Sequence, residues 1–211
     1  EPVGLEEELE RVVGLVEAVS SRFDVPVSID TNKAEVADQA CSAGATMVND
    51  VSALRASDSM ASVVAKHDVS LVLMHALWPP ATMQDDPEYV DVVDDVFEFL
   101  VERSNYAMAM GVKRERILID PGIGFGKTLE HNIDLMKNIA RFKLAAFPIL
   151  AGPSRKSFIG DLTGKPVSAR MMGTAGAVAV LAAQGVNIIR VHDVDAMKDV
   201  VRVVDAIVWE V

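Results

Sequence analysis

The sequence has little of several features, and each shortage argues against a class of protein. It contains one cysteine, Cys41, so it cannot form an internal disulfide, and we expect a reducing, cytoplasmic location. No apolar run approaches the roughly 20 residues that span a bilayer, and no basic-then-apolar leader opens the chain, so we predict no membrane association. Basic residues are also scarce: 20 Lys and Arg stand against 31 Asp and Glu, a net charge of −11 that argues against nucleic-acid binding.

The composition that remains is that of a globular protein. The chain has 211 residues, of which 50% are hydrophobic and 24% are charged. That balance provides a substantial core, and we predict a single domain over residues 1–211. Because the chain is acidic overall, an anionic ligand would need positive charge concentrated locally.

Short aliphatic runs alternate with helical patterns along the chain. Six runs, each bounded by turn signals, are typical of buried strands: Val25–Ile29, Thr46–Val48, Ser70–Met74, Ile117–Ile119, Phe147–Ala151 and Asn187–Val191. Apolar residues recur at helical spacing over residues 5–19 and 90–110, and residues 168–184 are small and apolar, which predicts a packed helix. Buried strands that alternate with helices indicate an α/β fold with parallel strands.

Glycines and prolines mark the connections between these elements. Gly44, Gly111 and Gly185 each follow a helical stretch, at the position where a left-handed residue commonly ends a helix. The segment from Trp78 to Pro87 is the longest irregular patch, and we predict a loop there.

Every predicted strand ends in polar residues, namely Asp30-Thr31, Asn49-Asp50, His75, Asp120, Ser154-Arg155-Lys156, and Arg190 with His192. Ligands of α/β proteins bind at the carboxyl ends of the strands, so six such ends predict one convergent site. Each residue alone has a structural alternative, because Asp and Asn often cap the next helix. Met74 is expected to point into the same pocket from its strand end.

Two kinds of chemistry are mixed at these strand ends. Hydrogen-bonding groups that suit a flat, donor-rich heterocycle are Asp30, Asn49 and Asp120. Groups that suit phosphate or pyrophosphate are Lys156, Arg190 and His192. These are the local positive charges that an anionic ligand requires.

A glycine-rich segment runs from Asp120 to Thr128, but it is not a P-loop. Three residues separate Gly122 from Gly126, where a P-loop needs four before its Gly-Lys. We interpret it as a loop whose glycines let the backbone approach a ligand, with Phe125 as a stacking or lid residue. We expect Lys127 to be a positively charged residue that supports the ligand-binding residues without contacting the ligand itself.

At these residues the sequence resembles the dihydropteroate synthase family. The matching segments, in the order of that family, are Ser28–Thr31, Val48–Val51, Leu73–His75, Ile119–Lys127, Gly152–Ser157 and Arg190–Asp193. The resemblance implies a (β/α)8 barrel, of which six βα units are evident here; the first two strands are expected to be missing. It also implies condensation of 6-hydroxymethyl-7,8-dihydropterin pyrophosphate with p-aminobenzoate, a target of sulfonamides.

The resemblance further implies roles for individual residues. The pterin contacts are Asp30, Asn49, Asp120 and Lys156, of which Asp30, Asp120 and Lys156 are the predicted catalytic residues. Arg190 and His192 would hold pyrophosphate, while the p-aminobenzoate side would be shaped by Phe125, Ser154 and Arg155. Gly152 and Met74 complete the predicted substrate-binding set. The implied mechanism is dissociative: pyrophosphate leaves with the help of Mg²⁺, and the aniline nitrogen attacks a pterin methylene cation.

Two departures from the family keep alternatives open. The Asn that binds the metal in the family lies on a first strand with no counterpart here, so no residue of this sequence is predicted as a metal ligand. The segment after Met74 also differs from the usual form. The alternatives are a pterin-binding methyltransferase domain and a non-catalytic pterin-binding fragment. The resemblance also implies a homodimer.

Overall fold

A computed structural model describes residues 3–77, 83 and 87–209. Most of the predicted loop from Trp78 to Pro87 therefore lies outside the described residues. The described residues divide into two compact units: the first comprises residues 3–75 and 100–119, and the second comprises the described residues within 76–99 together with residues 120–209. The prediction of one domain over residues 1–211 stays a prediction.

The first unit contains the first four strands and the helices between them. Its elements are α1 (Leu5–Ser20), β1 (Ser28–Asp30), α2 (Ala34–Ser42), β2 (Met47–Asp50), α3 (Met60–His67), β3 (Ser70–Met74) and β4 (Ile117–Asp120), whose last residue belongs to the second unit. The strands form one sheet in the order β1-β2-β3-β4, with β1–β2 and β2–β3 parallel. Val48, Leu71 and Ile119 are fully buried, because these strands carry the core of the unit.

The second unit is built mainly of helices around a short parallel pair. Helix α4 (Val92–Ala109) contributes residues 92–99 to this unit and residues 100–109 to the first. The other elements are α5 (Leu129–Lys137), α6 (Ile139–Lys143), β5 (Leu150–Ala151), α7 (Ser157–Thr163), α8 (Met171–Ala183), β6 (Ile188–Ile189) and α9 (Val194–Val208). Leu150 pairs with Ile188 and Ala151 with Ile189. Phe142, Ile149 and Leu181 are buried at its core.

All six predicted strands are confirmed; β3 has the predicted bounds, and the other five have shifted ends. β1 begins later than predicted, and β5 and β6 contain two residues each. Gly44, Gly111 and Gly185 all have positive φ angles, as predicted for residues that follow a helix. Among the described residues no helix is both long and apolar enough to cross a bilayer.

The prediction of a packed helix over residues 168–184 is only partly right. The start of this range belongs to a 3-10 turn, Val167–Ala169, and α8 begins at Met171. One side of α8 is buried through Val178 and Leu181, but Met172 and Val180 are 70% and 50% exposed. An evenly apolar sequence has no periodicity that could reveal which side meets the core.

Candidate functional site

The first unit places two of the predicted residues side by side. Asp30 and Asn49 are register partners at the carboxyl ends of β1 and β2. Asp30 is exposed, whereas Asn49 is buried and its Oδ1 accepts no hydrogen bond from any described residue. A buried amide oxygen is normally paired, so Asn49 is a candidate for contact with a ligand. Met74 is buried at the end of β3.

Asp50, next to Asn49, is a structural residue. Its Oδ1 accepts hydrogen bonds from the Ser52 amide at 2.8 Å and hydroxyl at 2.6 Å, and its Oδ2 accepts one from the Leu54 amide at 2.8 Å. These bonds hold a turn in which Ala53 and Leu54 both have left-handed φ angles. Asp50 therefore fixes the backbone that follows β2. It closes a turn and does not cap a helix, because α3 begins only at Met60.

In the second unit the candidate site is centred on Asp120. Its side chain is buried, and Oδ1 accepts a hydrogen bond from the Gly122 amide at 2.8 Å. Burial raises the pKa of the Asp120 carboxyl, while Lys156, the Gly122 amide, Lys127 and Arg190 act to lower that pKa. Three cationic side chains therefore act on this carboxylate. They supply the local positive charge that this acidic chain would need to bind an anionic ligand.

Lys156 extends across the glycine-rich loop. Its Nζ donates a hydrogen bond to the Ile123 carbonyl oxygen and lies 4.2 Å from the centre of the Phe125 ring. Gly124 makes this path possible: it has φ +83°, and a Cβ there would lie 2.6 Å from the Lys156 Cδ. Burial lowers the pKa of Lys156 to about 8, despite the opposing effect of Asp120.

Lys127 supports the same loop from within. Its Nζ donates to the Phe125 carbonyl oxygen at 2.9 Å, and burial lowers the pKa of Lys127 to about 7. Asn132, almost fully buried in α5, accepts a hydrogen bond from the Gly124 amide at 2.6 Å and donates one to the Thr128 carbonyl at 2.6 Å. Sequence reasoning missed Asn132; its weak signal is a polar residue within the apolar spacing of α5.

The titration of Lys127 makes folding stability dependent on pH. Its folded-state pKa, about 7, lies below the ordinary 10.5, so between pH 7.5 and 9 the unfolded chain binds the proton that the folded chain has released. Stability then rises with pH by up to about 1.4 kcal/mol per pH unit from this group. We expect Lys127→Met to reduce the slope by about that amount over this range, measured by urea unfolding at several pH values.

Lys137→Met is the matched control, because Lys137 is exposed at the end of α5. It should leave the dependence of stability on pH unchanged. A slope for Lys127→Met equal to that of the parent protein would contradict the assignment.

Two pairs join the end of β5 to the end of β6. The Ser154 Oγ lies 2.9 Å from the His192 Nδ1 and accepts the His192 amide proton at 3.2 Å. The Arg155 guanidinium donates to both carboxylate oxygens of Asp193, at 2.7 and 3.2 Å. Ser154 and Arg155 therefore support the β6 end, and their predicted role on the p-aminobenzoate side stays a prediction.

The remaining predicted residues lie at the same place. Arg190 and His192 are exposed just beyond β6, and the Arg190 amide donates to the Ala151 carbonyl at 2.9 Å. Gly152 lies beside Arg190, where a Cβ would make an ordinary contact at 3.7 Å. The structure thus brings together the predicted residues within each unit; convergence of all six strand ends on one site stays a prediction.

Comparison with known proteins connects this arrangement to a reaction. Residues 1–192 match the family model described as pterin binding enzyme. A dihydropteroate synthase from Synechocystis sp. is 43% identical over 208 residues, which cover 98% of this chain and 72% of that protein.

Solved structures agree with the family match. The Yersinia pestis dihydropteroate synthase in complex with a sulfonamide drug has a TM-score of 0.96 and 37% identity, covering 98% of this chain and 75% of that one. The Xanthomonas albilineans dihydropteroate synthase in complex with 7,8-dihydropteroate has a TM-score of 0.90 and 41% identity, covering 97% of this chain and 75% of that one. The predicted α/β fold class, a (β/α)8 barrel with six βα units evident in this chain, is confirmed.

Proposed function

The chain belongs to the pterin-binding enzyme family, and we infer from this membership which reaction it catalyses and propose which residues take part. Its activity is that of a dihydropteroate synthase, a transferase. It joins 6-hydroxymethyl-7,8-dihydropterin pyrophosphate to p-aminobenzoate and forms 7,8-dihydropteroate and pyrophosphate. The match to relatives named dihydropteroate synthase favours the condensation over the methyltransferase alternative.

We assign the pterin to the hydrogen-bonding groups. The observation that carries this proposal is the buried Asp120 carboxylate, on which the charge of Lys156 acts. The glycine-rich loop contacts both residues: the Gly122 amide donates to Asp120, and Gly124 leaves room for the Lys156 side chain. A carboxylate accepts hydrogen bonds from the ring N–H and amino groups of a pterin. In the first unit, Asp30 and the unsatisfied amide oxygen of Asn49 are likewise proposed as pterin contacts.

We assign the pyrophosphate to Arg190 and His192. In the proposed reaction the bond from the pterin methylene carbon to oxygen breaks, and its electron pair leaves with pyrophosphate. The Arg190 guanidinium at the end of β6 offsets the charge that builds on this leaving group, and His192 is proposed as a hydrogen-bonding partner of the pyrophosphate. Asp120 offsets the positive charge that develops on the pterin. The aniline nitrogen then forms the new C–N bond and releases a proton.

We propose Mg²⁺ as a cofactor of the reaction. When bound, it would neutralise charge on the pyrophosphate. Within residues 3–77, 83 and 87–209, no group of three or more His, Cys, Asp and Glu side chains is placed to hold a metal ion. The described residues therefore do not by themselves fit a complete magnesium site.

A homodimer and a cytoplasmic location are likewise proposals. Large apolar side chains are exposed on α7 and α8, including Leu162 at 59% and Met172 at 70%, and such side chains suit an interface between copies. The location rests on the single cysteine.

The test is a product assay with omission controls. The protein is given the pterin pyrophosphate, p-aminobenzoate and Mg²⁺, and 7,8-dihydropteroate and pyrophosphate are both measured. We expect equimolar products that require both substrates, and competition between a sulfonamide and p-aminobenzoate. Pterin binding by fluorescence titration without any product would instead support the non-catalytic alternative and would reject the proposed reaction for this chain.

A further inference from the structure

The backbone that carries Lys156 has an unfavourable conformation. We call residues 154–156 the lysine turn; it connects β5 to α7. Arg155 has a φ of +58°, in the left-handed region that disfavours residues with a side chain. Lys156 is the N-cap of α7, and no side-chain hydrogen bond caps that helix end. Contacts from outside the turn must therefore stabilise its shape.

Arg170, just before α8, makes such contacts with the lysine turn. Its Nη1 donates hydrogen bonds to the carbonyl oxygens of Arg155 at 3.0 Å and Lys156 at 3.1 Å, and its Nε donates to the Lys165 carbonyl at 3.0 Å. A guanidinium presents its donors in one rigid plane. By binding two consecutive carbonyls, it fixes the peptide unit between Arg155 and Lys156.

Thr174, one turn further along α8, contacts the same backbone. Its Oγ1 accepts a hydrogen bond from the Arg155 amide at 3.1 Å, and the residue is fully buried. The start of α8 therefore binds both the amide and the carbonyl of Arg155. Sequence reasoning missed these two residues; the signal was an Arg and a Thr within the otherwise small, apolar stretch of residues 168–184.

Gly160 in α7 provides the space for the guanidinium. A Cβ at Gly160 would lie 2.2 Å from the Arg170 Nη2 and 2.6 Å from its Cζ. Gly160 has no positive φ that would itself demand glycine. The absence of a side chain there serves the placement of Arg170.

We propose that Arg170, seated against Gly160, is a positioning residue that holds the lysine turn so that the Lys156 ammonium reaches the Ile123 carbonyl and the Phe125 ring. The expected effect of Arg170 on the reaction rate rests on the proposed function. Its effect on the position of the Lys156 side chain can be measured without turnover.

The first test changes Arg170 conservatively. Arg170→Lys keeps the charge but removes the planar fork, so Lys156 loses its fixed position. A displacement of about 1 Å can cost on the order of 100-fold in rate; we expect kcat/KM to fall by about 10- to 100-fold, mainly through kcat. Arg202→Lys, on the exposed side of α9, is the matched control and should retain the parent activity.

The second test changes Gly160, the other partner in the contact with the Arg170 guanidinium. Gly160→Ala should displace the guanidinium and lower kcat/KM like Arg170→Lys. In an Arg170→Ala background, however, the added Cβ meets no guanidinium, so Gly160→Ala should cost nothing further. Gly176→Ala in α8, where nothing lies within 4 Å of the added Cβ, controls for the helix-stabilising effect of alanine.

The deciding measurement is the acylation rate of individual lysines, followed by mass spectrometry. We expect Lys156 to be labelled several-fold faster in Arg170→Lys and Gly160→Ala than in the parent, with Lys137 unchanged and the thermal transition retained. An unchanged Lys156 rate in both variants would overturn the proposal, whatever happens to activity. Because labelling needs no turnover, absence of product from the parent protein would reject the proposed function alone.

Discussion

Replacing Lys156 with Met is expected to lower kcat/KM for dihydropteroate formation by about 10²- to 10³-fold, the usual cost of losing one aligned hydrogen-bond donor in an active site. Met keeps the apolar stem that passes Gly124 but removes the ammonium that bonds the Ile123 carbonyl and lies over the Phe125 ring. The effect is measured by steady-state kinetics with both substrates varied.

The same substitution should not destabilise the fold. Burial lowers the pKa of Lys156 to about 8 from 10.5, so at pH 7 the desolvated ammonium destabilises the folded state. Removing that ammonium should raise the free energy of unfolding at pH 7 by on the order of 1–3 kcal/mol. Lys137→Met, at an exposed site, should change neither quantity. If Lys156→Met loses both activity and stability, Lys156 is structural and its catalytic assignment is wrong.

Asp120→Asn is expected to lower kcat/KM by about 10³-fold. Asn preserves the shape of the buried side chain but removes the negative charge that faces Lys156, Lys127 and Arg190. That charge is also the proposed stabiliser of the cation that develops on the pterin, so its loss should appear mainly in kcat.

The pH profile supplies a second readout for Asp120→Asn. Asp120 raises the pKa values of Lys156 and Lys127 against the larger lowering caused by burial. Without the carboxylate both lysines should lose their protons at lower pH, so the basic limb of the kcat/KM profile should shift to lower pH. Asp161→Asn, exposed on α7, is the control. An unshifted basic limb would show that Asp120 does not set the protonation of these lysines.

The extent to which the sequence predicted the fold depends on the physical signal at each element. Aliphatic runs predict burial, and Phe147 and Ile149 are indeed buried, but β5 contains only Leu150 and Ala151. Burial and strand pairing are different properties: a residue can face the core without its backbone joining a ladder. The strand locations were therefore predictable, whereas the ends of every strand except β3 were not.

The candidate site shows the same division. The Gly-rich loop, the lysines and the arginine were recognisable from their order along the chain. The contacts of Ser154 with His192 and of Arg155 with Asp193 join residues 38 positions apart, so no local pattern encodes them. Asp50 and Asn49 are adjacent in sequence, yet the first is saturated by its own turn and the second has an unsatisfied oxygen.

The sequence by itself determined the class of the fold, the residue types at the strand ends and the kind of chemistry they suit, because periodicity and composition are local properties of a chain. Only the tertiary structure decided which polar groups are already paired and which are desolvated. The pKa of Lys127 and the support of the lysine turn by Arg170 depend on atoms brought together from distant segments. Desolvation and hydrogen-bond geometry are properties of that three-dimensional surrounding, and they determine which of the predicted residues can act on a substrate.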